Sequence, residues 1–113
     1  MYKEITLKDI HGGERKVPFL ASASTAYRFN QIFHEDLMTK LTKMETEADY
    51  AIADKLAFVM NAQAEGKDMK TLNYDSFLAW LDGLESSEVL VHIEEIVGLY
   101  LGSKLTSSIA KKE

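Results

Sequence analysis

The chain has no cysteine and one proline among its 113 residues, and its basic residues are outnumbered by acids. Without cysteine there is no disulfide framework, no thiolate metal site and no cysteine nucleophile. Lys and Arg together number 13 against 18 Asp and Glu, a formal net charge of −5. An acidic chain of this kind lacks the basic face that phosphate-backbone binding requires, so nucleic acid is not an expected partner. No apolar run approaches the roughly 20 residues that span a bilayer. The opening M-Y-K-E-I-T-L-K-D has no apolar core of a signal peptide, so we expect a cytoplasmic protein with no membrane contact.

What is present suits one folded domain. Hydrophobic residues make up 46% and charged residues 27%, ordinary values for a globular chain. A chain of this length buries roughly 65% of its unfolded surface. The expected class is α+β, mainly α: an N-terminal β-hairpin packed on a bundle of about four helices. Residues 1–102 form the expected single domain, and 103–113 a flexible tail.

Ile5 and Leu7 alternate with Glu4, Thr6 and Lys8, which is strand periodicity. Gly12-Gly13 suits a tight connection, and Val17 and Phe19 resume the alternation on either side of Pro18. Residues 2–20 therefore read as one hairpin, whose Ile5/Leu7/Val17/Phe19 face must lie on helices. Ser22 or Ser24 is placed to cap a helix over about 24–44, with Ala26, Phe29, Phe33, Leu37, Leu41 and Met44 on its apolar face. Asp36 and Lys40 stand four apart as an ion pair on that helix.

Thr46-x-x-Asp49 resembles a capping box for a helix over 47–64. That helix is apolar almost all round, from Ala48 to Met60, and so is expected at the centre of the domain. Gly66 is its natural stop. Asn73 or Asp75 caps a helix over 74–83. Ser86 or Ser87 caps a last helix over 87–101, in which Gly98 costs roughly 1 kcal/mol against alanine and permits close helix approach. The remaining residues, 103–113, are polar and weakly patterned, the signature of a mobile terminus.

No catalytic constellation emerges. Glu88, His92 and Glu95 share one helix surface at the spacing of weak metal ligands. We read them as a solvated acidic face, because no second helix is seen to supply further ligands. The serine pairs match no nucleophile elbow. Gly12-Gly13 lacks the spacing of a phosphate loop. No cofactor is implied. Core packing is the default role of each aromatic. Tyr74, Phe77, Trp80 and Tyr100 are the candidate partner-binding residues, with Tyr74 and Trp80 foremost, since aromatic anchors are enriched at binding hot spots.

Several segments in order carry a family likeness. They are the hairpin ending V-P-F, the run A-S-A-S-T-A-Y-R-F-N-Q-I-F-H-E-D-L, the apolar stretch Ala48–Met60, Y-D-S-F-L-A-W-L-D-G-L, and the ending L-Y-L-G-S-K-L-T-S-S-I-A-K-K-E. Over nearly its whole length the chain resembles the tail assembly chaperones of long-tailed phages and prophages of Gram-positive bacteria. The resemblance implies a non-enzymatic protein of the host cytoplasm. It would coat the tape measure protein, keep it soluble, help recruit tail tube subunits, and be absent from the finished virion. It also implies a longer frameshifted form, and Lys111-Lys112 is compatible with a slippery codon run. Self-association is open to the same apolar faces. The alternative from another class is a small helical adaptor or regulator of a host protein.

Overall fold

A computed structural model describes residues 1–102 in full and, from 103 to 112, the backbone path alone. The alternating segments pair as expected. Strand β1 (Tyr2–Lys8) runs antiparallel to β2 (Glu14–Leu20), with Ile5 opposite Val17 and Lys3 opposite Phe19. Gly12 takes the turn at φ +83°, and the Asp9 carboxylate accepts from the N–H groups of His11 and Gly13. Ile5, Leu7, Val17 and Phe19 are all buried on one face. Covering a leucine or phenylalanine this fully contributes about 1.5–3 kcal/mol.

That face rests on helix α3 (Ala51–Ala64), the hub of the molecule. Its residues Ile52, Ala53 and every position from Leu56 to Ala62 are buried. A helix apolar on all sides needs cover on all sides. The hairpin, α1 (Thr25–Phe33), α2 (Leu37–Glu47), α4 (Tyr74–Asp82), α5 (Glu88–Val91) and α6 (Ile93–Lys112) supply it. A single 3₁₀ turn, Met69–Thr71, lies between α3 and α4.

The expected helix over 24–44 is two helices. His34 adopts the left-handed conformation (φ 57°, ψ 36°) and closes α1 by donating its N–H to the Asn30 carbonyl. Asp36 then opens α2, accepting from Thr39 N–H at 2.9 Å and from the Thr39 hydroxyl at 2.6 Å. Its expected partner Lys40 instead meets Glu35 at 2.9 Å. Ser24 stands at the N-cap of α1 without a capping side-chain bond. Its hydroxyl accepts from Arg28 Nε.

Other boundaries move for similar reasons. Helix α2 continues to Glu47 and ends at left-handed Ala48, so α3 starts at Ala51 rather than 47. Thr46 caps nothing; its hydroxyl donates back to the Thr42 carbonyl. The expected helix over 87–101 breaks at His92 into α5 and α6. Ser87 stands at the N-cap at φ 64°, with no side-chain capping bond. The cap at Asn73 forms as a full box with Ser76. Gly66 follows α3 at φ +69°. The close helix approach expected at Gly98 is not made: among the described residues, a Cβ there would meet nothing within 4 Å. The flexible tail expected at 103–113 lies outside the fully described residues.

Candidate functional site

The aromatic candidates divide between two places. On α4, Tyr74 and Phe77 stack edge to face at 5.6 Å, and Phe77 meets Phe33 of α1 at 5.3 Å and Phe58 of α3 at 5.7 Å. Phe77 is only 4% exposed. Trp80 lies against Phe58 at 5.7 Å, and its indole N–H donates to Asn61 Oδ1 at 3.0 Å. The Asn61 amide donates in turn to the Pro18 carbonyl at 2.9 Å. A buried amide thus ties α4 to β2 through α3, and Trp80 belongs to that tie. Tyr100 sits apart on α6, 6% exposed, its hydroxyl directed at Met38 Sδ of α2. Burial raises the Tyr100 pKa, with the Asp36 carboxylate adding to the effect. Among the four, only Tyr74 is substantially exposed, at 53%.

Tyr74 borders a charged knot. Glu35 pairs with Lys55 at 2.7 Å and Lys40 at 2.9 Å, and the Lys55 ammonium also stands over the rings of Phe33 and Tyr74. Burial opposes ionisation of Glu35, but the hydrogen bonds from the two lysines outweigh it and hold the carboxyl below its ordinary pKa. The knot pins the α1–α2 joint to α3.

Glu88, His92 and Glu95 do come together. His92 Nε2 lies 3.4 Å from Glu88 and Nδ1 3.2 Å from Glu95. The reading as a solvated face fails for Glu88, which is 8% exposed and accepts from Lys8 N–H at 3.0 Å. Glu95 pairs with Lys3 at 3.2 Å. These side chains staple α5 and α6 to β1. Among the described residues no group of three or more His, Cys, Asp or Glu is arranged to hold a metal ion, and no helix is long and apolar enough to cross a membrane.

The arrangement best suited to a partner is an open groove of about 300 Å³ between α2 and α6. Met44, Ile93, Val97, Gly98 and Leu101 line it, with Glu94 the one charged residue among the described residues there. Met44, Ile93 and Val97 are half-buried and Leu101 is 37% exposed. Met44, Ile93 and Val97 fall on apolar helix faces in the sequence and so read as core. The signal of an open site is Gly98, a residue without a side chain in the middle of the stripe. Comparison with protein-family models, curated proteins and solved structures finds no match to this chain.

Proposed function

We propose that this protein acts by holding another polypeptide and performs no bond-making of its own. In this reading it is a tail assembly chaperone of a long-tailed phage or prophage. Its client is the tape measure protein, which it keeps soluble in the host cytoplasm while tail tube subunits are recruited, and it is left out of the virion. The carrying observation is the groove between α2 and α6 with its almost wholly apolar lining. Such a groove accepts the apolar face of an amphipathic helix, and a tape measure protein is a long helical client. Glu94 at the groove and the net charge of −5 favour a client helix with basic flanks.

Gly98 gives the reading a specific test. Its missing side chain leaves open space, so Gly98→Phe should fill the groove without disturbing the core. Co-purification of a tagged tape measure segment should fall at least tenfold with Gly98→Phe and with Leu101→Glu, while the melting temperature of each variant stays near that of the parent. Undiminished co-purification with both variants would remove the groove from the mechanism.

A further inference from the structure

Hydrogen bonds across the hairpin fix which backbone groups face outward. The Met1 amino group donates to the Ala21 carbonyl at 2.6 Å, Ala21 N–H donates to Met1 at 2.8 Å, and Asp9 N–H donates to Gly13 at 2.8 Å. With Ile5 opposite Val17, the odd-numbered residues of β1 form the hydrogen-bonded pairs. In an antiparallel ladder these alternate with residues whose N–H and C=O point away from the partner strand. The even-numbered residues of β1 therefore turn their backbone groups to the outer edge.

Part of that edge is already occupied. The Lys8 carbonyl accepts from Glu85 N–H at 3.0 Å, Lys8 N–H donates to Glu88 Oε1, and Ile10 N–H donates to Gly83 at 3.1 Å. The chain around Leu84 begins a further strand, bridged antiparallel to Asp9, and then turns off into α5. Tyr2, Glu4 and Thr6 remain. Among the described residues, their outward N–H and C=O groups have no hydrogen-bond partner. The opposite edge is blunted: Pro18, which stands across from Glu4, has no N–H, and its carbonyl is taken by Asn61. Proline, projecting lysine or a covering element usually guards a strand edge. Between Tyr2 and Thr6 there is no proline, and Lys3 is turned onto Glu95.

We propose that the β1 edge from Tyr2 to Thr6 takes an extended, basic segment of a partner polypeptide as an added strand, continuing the ladder that Leu84 begins. Charge selects the occupant. Glu4 is exposed in the middle of the open stretch. Glu94 and Glu95, with Val91 and His92, line a cavity of about 200 Å³ on the side that Lys3 reaches. Opposite charges across a strand pair stabilise it and like charges destabilise it. A second copy is disfavoured for that reason: the two-fold pairing that uses all three open residues sets Glu4 against Glu4. Strand addition draws its affinity from main-chain hydrogen bonds, which the α2–α6 groove does not use, so its test stands apart from the client proposed for the groove even though Glu94 borders both.

The test uses the full chain, isotopically labelled, and a blocked peptide of alternating valine and lysine. Added peptide should slow amide exchange at Glu4 and Thr6 at least tenfold. The same peptide N-methylated along one edge should bind at least tenfold more weakly. Glu4→Pro mirrors the tolerated Pro18 and keeps the hairpin's own ladder bonds, so it should abolish the protection with little change in melting temperature. Glu4→Lys leaves the backbone intact and should weaken the basic peptide severalfold, which decides the matter should the proline variant fold poorly. Binding without protection of those amides, equal binding of the N-methylated peptide, or no binding at millimolar peptide would each overturn the site. A dimer of the free chain that Glu4→Pro dissolves would overturn the foreign strand in favour of a second copy.

Discussion

Asn61 shows how much one buried polar side chain can hold together here. It is 3% exposed, yet its amide reaches both the Pro18 carbonyl and the Trp80 indole. Among the described residues, no buried side-chain polar atom lacks a partner, which is the condition under which such groups stabilise a core rather than weaken it. Replacing Asn61 by alanine would strand the indole N–H and the carbonyl together. We expect a loss of about 2–4 kcal/mol, read from urea unfolding followed through Trp80, the only tryptophan. A loss below about 0.5 kcal/mol would mean that water replaces the amide freely. Glu35 supplies a pH dependence. Its folded pKa is lowered by Lys55 and Lys40 against the effect of burial. The stabilisation it gives is therefore complete above the unfolded value of 4.5 and is lost as pH falls through the lower folded value. Parent and Glu35→Gln should differ in stability at neutral pH and converge in acid; a gap that widens on acidification would contradict the assignment.

At the scale of elements, the joints carry the unusual backbone. His34, Ala48 and Ser87 all have positive φ without being glycine. A left-handed residue with a Cβ costs roughly 1–2 kcal/mol, and Ala48, exposed at the end of α2, has no side-chain hydrogen bond to offset it. Ala48→Gly should raise stability by about 1 kcal/mol. Gly98→Ala, in helical backbone with open space around it, should gain a similar amount. Thermal melts of both variants check this, and a fall in either would show that the local conformation differs. These joints also explain where the sequence could and could not be read. The hairpin was legible because period-two alternation meets a Gly-Gly turn. The centre of α3 was legible because nothing polar interrupts it from Leu56 to Met60. The break at His34 was hidden. Phe29 and Phe33 on α1 and Leu37 and Leu41 on α2 keep four-residue spacing across the joint and face the same core, so periodicity alone describes one helix. Of the candidate site residues, aromatic character was legible but exposure only in part: Tyr74 is exposed, whereas Phe77 and Tyr100 are covered, and the groove at Leu101 and the backbone edge of β1 were not among the candidates. Edge hydrogen bonding depends on which strand finds a neighbour, and no side-chain pattern encodes that.

The whole molecule is one layer of hairpin and a set of helices gathered on α3, and two of its open surfaces, which meet at Glu94, bear on partners. One is the apolar groove between α2 and α6, suited to a helix. The other is the unpaired length of β1, suited to a strand. The holding role proposed above rests on the groove, and the strand edge is tested separately. The direct measurement is co-expression with a tape measure protein, followed by size-exclusion chromatography of the soluble fraction. Holding activity through the groove predicts that the client stays soluble and co-elutes with the parent chain, and precipitates when Gly98→Phe takes its place. A client that stays insoluble beside the parent chain, or that Gly98→Phe holds equally well, would contradict it.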